Sequence, residues 1–207
     1  ITPGFTSVHF VITPSPEVAF GYTIYPKSEF EEKFHVDGEL DEDALLKEVR
    51  CTDYTEEVDE NQTWGIGYDT EYVMAIYSEL DGKYWVSTES FKTGTFAEHV
   101  ASLEDGETLK LTSNVTLSSS ITIDKKVTIN LNRKTIKSSA TVFYITTEGE
   151  LTISNGNVET TGNVFYNNGT LTIDSGTYKT TGDLAACVYC DGPIVGGNST
   201  DYAWNLT

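Results

Sequence analysis

The sequence predicts a mainly β chain in two parts: an antiparallel, sandwich-like domain with a helical insertion over about 1–94, and a short right-handed parallel β-helix with an N-terminal capping helix over about 95–207. Three observations carry this. Segments of the second part repeat themselves at an offset of 20 residues. The first part alternates apolar and polar residues between Pro and Asp-Gly breaks, as half-buried strands do. After the turn Glu104-Asp105-Gly106 the composition shifts to Thr, Ser, Asn, Ile, Val and Leu.

In the first part, residues 6–13 read as a strand ended by Pro14-Ser15-Pro16, and 18–25 as a second strand ended by Pro26. The period then changes. Ser28 is placed to cap a short helix to Phe34, with Glu31 in the capping-box position. Asp41 caps another over 42–50, with Leu45, Leu46 and Val49 on one face. Strands return at 63–67 and 71–79, the latter with Tyr72, Met74 and Ile76 on one face. Asp81-Gly82 is a hairpin signal, and 83–91 is the returning strand.

Several of these stretches resemble the fibronectin type III-like domains of surface lipoproteins from gut Bacteroidetes. They are Ile1-Thr2-Pro3 leading into Thr6-Ser7-Val8-His9-Phe10, then Gly21-Tyr22-Thr23-Ile24-Tyr25-Pro26-Lys27, and Asp69-Thr70-Glu71-Tyr72-Val73. The last resembles the family's sandwich corner, which implies a Tyr72 hydroxyl bonded back to backbone. Phe91-Lys92-Thr93 matches a closing strand. The resemblance implies a spacer or interaction module and brings no catalytic residues.

In the second part, Thr95 caps a short amphipathic helix over 96–103, with Phe96, Val100 and Leu103 on one side. Short apolar runs follow at 108–111, 115–117, 121–123, 127–131, 135–137, 142–145, 151–153, 158–160, 164–166, 171–173 and 178–180. Gly149-Glu150-Leu151-Thr152-Ile153-Ser154-Asn155-Gly156 aligns with Gly169-Thr170-Leu171-Thr172-Ile173-Asp174-Ser175-Gly176, and Thr160-Thr161-Gly162 with Thr180-Thr181-Gly182. Fixed-period self-similarity marks a solenoid. Strands this short bury too little alone, so stacking must put Leu151 on Leu171, Ile153 on Ile173, Val158 on Tyr178 and Val164 on Leu184. Thr152 over Thr172 and Glu159 over Lys179 then point outward. A looser copy begins at Val127. A leucine-rich repeat is the rival at this period, but its L-x-x-L-x-L spacing is missing.

The stretch 97–103 before Gly106-Glu107-Thr108-Leu109-Lys110-Leu111, and the phrase from Ile121 to Asn132, resemble the cap and first rungs of pectate-lyase-like β-helix proteins. The resemblance spans about 95–185 and implies the fold. The Gly/Asn/Ser-rich tail ending near Trp204 carries no matching cap, so further rungs are expected beyond Thr207. The opening Ile1-Thr2-Pro3-Gly4, without initiator Met, is expected of a processed or truncated piece.

The net charge is −19, with −14 of it in residues 1–94. Such a field repels nucleic acid and anionic lipid, and no apolar run is long enough to span a bilayer. The charge fits a soluble surface protein. The same carboxylates make Ca²⁺ the metal the composition admits; no other cofactor is expected. Cys187-Val188-Tyr189-Cys190 is formally C-x-x-C, but Cys51 is the one other cysteine and His9, His35 and His99 lie far away, so buried thiols are expected rather than zinc or redox chemistry.

Enzymes on β-helices use paired carboxylates. Asp124, Glu148, Glu150, Glu159, Asp174 and Asp183 are the candidates, but the alignment sets none of them over another carboxylate. Sequons at Asn61, Asn114, Asn168, Asn198 and Asn205 are frequent in any Thr/Asn-rich chain. Trp64, Trp85, Tyr144 and Tyr166 are the aromatics placed to stack on sugars, or else to pack in the core. The expected function is non-catalytic: an extracellular, adhesin-like or structural protein contacting glycans or cell-surface proteins, with a homo-oligomer compatible. The alternatives are a phage virion appendage binding virion proteins and a pectate-lyase-like carbohydrate-active enzyme.

Overall fold

The computed structural model describes residues 1–15, 18–49, 54–190 and 194–196, with the backbone alone at 49 and 194–196. Cys51, Trp204, the expected helix end at Arg50 and the sequons at Asn198 and Asn205 lie outside the described residues. The chain is mainly β and divides into two compact units, Ile1–Gly94 and Thr95–Thr207.

The first unit runs β1 (Thr2–Pro3), β2 (Val8–Ile12), β3 (Ala19–Pro26), α1 (Lys27–Phe34), β4 (His35–Val36), β5 (Glu39–Leu40), α2 (Glu42–Val49), β6 (Val58–Gln62), β7 (Glu71–Leu80) and β8 (Lys83–Lys92). Two antiparallel sheets, β1-β2-β6 and β3-β7-β8, share one core. Val8, Phe10 and Ile12 enter it from β2, Val58 from β6, and Phe20, Tyr72, Met74 and Phe91 from the other sheet. The opposite face of β7 carries Val73, Ala75 and Tyr77, packed with Phe30 and Phe34 of α1 and Leu45 of α2. The helices are therefore a covering layer, and β7 is buried on both faces.

Local chemistry explains the boundaries. Asp81 and Gly82 take positive φ (52° and 71°), as a two-residue hairpin with twisted strands requires. Asp41 caps α2, its carboxylate accepting the Ala44 N–H at 3.0 Å. Tyr72 behaves as expected: its hydroxyl accepts from Gly67 N at 2.7 Å and donates to Gly65 O at 3.1 Å. Two expectations fail. Ser28 does not cap α1. The helix starts at Lys27 straight from β3, with Pro26 at the cap and no side-chain bond, so Ser28 falls inside the first turn. The strand expected at 63–67 lies earlier, at β6, while Trp64 and Gly65 form a turn. β6 is nearly all polar, and pairing with β2 (Val8 with Gln62, Ile12 with Val58) makes it a strand despite its weak propensity.

The second unit opens with α3 (Phe96–Ser102). Thr95 and Glu98 form a reciprocal capping box, Glu98 N donating to Thr95 Oγ1 at 3.1 Å and Thr95 N to Glu98 Oε2 at 2.8 Å. Phe96 and Val100 are buried, and the helix packs near β11 (Ile121–Ile123). The other strands are β9 (Thr108–Lys110), β10 (Val115–Leu117), β12 (Lys126–Asn130), β13 (Thr135–Ser138), β14 (Phe143–Ile145), β15 (Glu150–Ser154), β16 (Asn157–Thr160), β17 (Phe165–Asn167), β18 (Thr170–Ile173), β19 (Thr177–Thr180), β20 (Val188–Cys190) and β21 (Ile194–Gly196). They form a parallel β-solenoid of about four turns. Its three sheets are β9-β12-β15-β18-β21, β10-β13-β16-β19 and β11-β14-β17-β20.

Register puts like on like inside. Val127, Leu151 and Leu171 make one column and Leu109, Ile129, Ile153 and Ile173 the next. Val115, Ile136, Val158 and Tyr178 line the second sheet, and Ile121, Phe143 and Phe165 the third. Leu151 on Leu171, Ile153 on Ile173 and Val158 on Tyr178 are as the repeat predicts. Val164 on Leu184 is not. Three extra residues between β19 and β20 shift the register, so Val164 N donates to Ala186 O, while Leu184 is fully exposed.

The corners are built for close approach. Thr160 and Thr180 are buried, facing inward at successive corners. Each hydroxyl accepts the N–H two residues on, from Gly162 at 3.0 Å and Gly182 at 3.4 Å, and donates to the corner below, to Ala140 O at 2.6 Å and Gly162 O at 2.7 Å. At another corner a Cβ on Gly169 would collide with the carbonyl oxygens of Gly149 and Thr146. Rungs also shorten: Ile129 to Ile136 spans Leu131-Asn132-Arg133-Lys134, where Ile153 to Val158 needs fewer residues, and two residues replace four between the third and first sheets. This is why the repeat from Val127 to Leu151 is longer than 20.

Gly169→Ala is expected to lower stability by about 1–3 kcal/mol, because backbone rather than a flexible side chain must move; urea denaturation followed by circular dichroism measures it. A second expectation concerns pH. Burial lowers the His99 pKa below the ordinary imidazole value, partly opposed by the Glu107 charge. The unfolded chain therefore takes up the proton first, and stability falls as pH drops below about 6.5. His99→Gln should flatten that slope in denaturation curves recorded between about pH 7.5 and 5.5.

Candidate functional site

Trp64 is 79% exposed and Trp85 51%. Trp64 stands on the turn after β6. That turn is fixed by Tyr72 through Gly65 and Gly67, and by buried Thr93, whose hydroxyl donates to Gly67 O at 2.7 Å. Trp85 lies on the edge strand β8, opposite Ser78. Tyr72 and Ser78 sit near opposite ends of β7, roughly 20 Å apart along the strand. The two indoles therefore do not form one platform.

Tyr144 and Tyr166 do come together, and Tyr189 joins them. All three point outward from the third sheet in strict register, Tyr144 with Tyr166 and Tyr166 with Tyr189. Their rings stack at centroid distances of 5.0 and 4.9 Å, with interplanar angles of 17° and 24°. The spacing follows from the parallel sheet, whose strands lie about 4.8 Å apart. Tyr189 escapes a fixed 20-residue offset because this sheet repeats at 22 and then 23 residues. The legible signal was an apolar residue followed by Tyr: Phe143-Tyr144, Phe165-Tyr166, Val188-Tyr189.

Ring stacking decides what this row offers. The faces of Tyr166 look along the coil axis at a tyrosine on either side, and Tyr166 is half-buried, whereas Tyr144 and Tyr189 are 39% and 50% exposed. Within the row, edges and hydroxyls meet solvent. Beside it runs a polar column, Asp124, Thr146 and Asn168, set by Thr146 N on Ile123 O and Asn168 N on Ile145 O. Asn168 Nδ2 donates to the Tyr144 hydroxyl at 3.3 Å. Below Tyr144, in register, is the exposed side chain of Thr122.

The carboxylates considered for catalysis, Asp124, Glu148, Glu150, Glu159, Asp174 and Asp183, are all exposed. Glu150 pairs with Lys126 at 3.4 Å and Glu159 with Lys137 at 3.9 Å. Among the described residues, no three His, Cys, Asp or Glu side chains gather to hold a metal ion. Cys187 and Cys190 are not bridged to each other. They are about 10 Å apart along extended chain, beyond disulfide reach. Cys187 continues the Val142–Val164 corner column and its thiol donates to Tyr178 O at 3.3 Å. Cys190 stands over buried Asn167 at the end of β20.

Compared with family models, curated proteins and solved structures, this chain finds no match in any of the three.

Proposed function

We propose that the chain is a non-catalytic, extracellular, adhesin-like protein whose solenoid presents a rigid face to glycans of a cell surface. In this reading the first unit is a fibronectin type III-like spacer. The strand orders β1-β2-β6 and β3-β7-β8 and the Tyr72 corner support that assignment. The second unit is a right-handed β-helix, the hand that parallel crossovers overwhelmingly take. Helix α3 covers its first end, where an uncovered sheet edge invites aggregation.

The observation that carries the reading is the exposed row Tyr144–Tyr166–Tyr189. Tyrosine offers an apolar ring and a hydrogen-bonding tip together, which suits carbohydrate and wet interfaces. Rung-to-rung hydrogen bonds hold the three rings in place, so little conformational entropy is lost on binding. That the candidate carboxylates are exposed, two of them paired with lysines, favours this over hydrolysis or elimination, which need an acid and a base held facing one substrate bond.

The test is binding of the chain to immobilised polysaccharides and to whole bacterial cells. The wild type should bind, and Tyr144→Ser with Tyr166→Ser and Tyr189→Ser combined should weaken binding at least about tenfold, roughly the loss of one good aromatic contact. Equal binding by the triple variant would remove the row from the function. Steady release of reducing ends or unsaturated uronates would make the protein an enzyme instead.

A further inference from the structure

We infer that the ledge beneath Tyr144, in front of Thr122, is a subsite for one uncharged sugar ring. This rests on the glycan-contact reading above and narrows it to a place and a class of ligand.

The argument begins with the column Thr122, Tyr144, Tyr166, Tyr189. From Tyr144 upward each position holds a ring, stacked at 5.0 and 4.9 Å. At the next position down the column has a small, exposed threonine. Tyr144 stacks on Tyr166 above it, so its other face opens over Thr122. A flat ring placed there continues the stack at the spacing the sheet already imposes. Inside the row no such space exists, because each interior ring face is already covered by a neighbour.

The rim identifies the ring. Thr122 points outward from β11, Ser120 and Asp124 flank that strand on the lowest rung, and all three are exposed. Two hydroxyls and a carboxylate around a ring face suit a pyranose: its C–H face lies on the tyrosine, and its equatorial hydroxyls donate to Asp124 and exchange hydrogen bonds with Ser120 and Thr122. A hydroxyl-to-carboxylate bond is among the stronger kinds.

Charge selects among sugars. The two lysines that follow Asp124 in sequence are committed elsewhere. Lys125 Nζ donates to the carbonyls of Ala101 and Leu103 at the end of α3, at 2.9 and 3.0 Å, and Lys126 pairs with Glu150. Among the described residues no ion pair neutralises Asp124, in a chain of net charge −19. A uronate or sulfated sugar meets repulsion there, and a neutral sugar does not.

The test uses the whole chain and calorimetric titration with neutral oligosaccharides (gluco-, xylo- and manno-series), oligogalacturonate, and indole as a plain aromatic. Thr122→Tyr fills the ledge with the chain's own ring. It should keep or raise the thermal midpoint and weaken neutral-sugar binding at least about tenfold. Tyr144→Leu removes the ring face and should do the same, which decides the matter if Thr122→Tyr fails to fold. Lys179→Ser, on the outward face of the second sheet, should leave binding intact. Neutral-sugar binding unchanged in Thr122→Tyr or Tyr144→Leu would overturn the subsite. That result together with loss of binding in Tyr189→Ser would do so while sparing the row as a glycan surface. No binding of any saccharide by the wild type would overturn both, and preference for oligogalacturonate or indole would overturn the ligand class.

Discussion

Backbone hydrogen bonds between successive rungs hold the strands of the second unit about 4.8 Å apart, and that distance decides which side chains the corners and columns accept. At the corners it leaves no room for a Cβ at Gly149, where Ile123 O approaches, or at Gly169, where Gly149 O does. In the columns it brings identical side chains to van der Waals distance. Phe143 and Phe165 stack inside at 5.6 Å, and the tyrosines stack outside at 5.0 and 4.9 Å. Aromatic pairs in this range each contribute about 0.5–1.5 kcal/mol beyond their buried area. The inward hydroxyls obey the same spacing. Thr160 and Thr180 can be buried because the carbonyl of the corner below lies within hydrogen-bond reach.

The first unit solves a different problem with one strand. β7 has an apolar side chain on each face, so it needs a layer on each side: the sheet β1-β2-β6 on one and α1 with α2 on the other. Removing either layer would leave a large apolar surface in water. The Tyr72 hydroxyl, fixed between Gly65 and Gly67, ties the start of this central strand to the loop that leads into it.

Much of this was legible in the residues. Every strand from β9 to β19 stands where short apolar runs predicted one, because inward residues alternate with polar ones and Gly, Asn or Ser marks the corners. The parallel pairing was legible from the repeat, since a 20-residue echo of Leu151-Thr152-Ile153 has no use in a hairpin. The failures have physical causes. The echo assumes a constant rung, but corners lengthen freely at the surface, so Leu184 was misplaced and Tyr189 was not placed in the column. β6 owes its extended form to its neighbour β2 rather than to its own Val-Asp-Glu-Asn-Gln sequence. For β7, the alternation of Tyr72, Met74 and Ile76 showed one buried face, but not that Val73, Ala75 and Tyr77 form a second beneath the helices. Of the four aromatics singled out, two joined one row; the third member, Tyr189, follows an apolar residue as they do but falls outside a 20-residue offset.

The outward faces of the solenoid provide an internal comparison. All three are held by the same backbone ladder, so differences between them are not demanded by the fold. The first sheet carries Thr108, Thr128, Thr152 and Thr172, β-branched residues that suit a half-exposed strand. The second carries Lys137, Glu159 and Lys179, alternating charges that keep a surface soluble. Among the described residues, only the third exposes aromatic rings. Stacking explains why tyrosines tolerate one another there, but threonine or paired charges would have met the needs of the sheet without leaving apolar area in water. What separates the third face from the other two is therefore a surface suited to contact, and the break in its column at Thr122 is where that surface has room for a ring the chain does not supply.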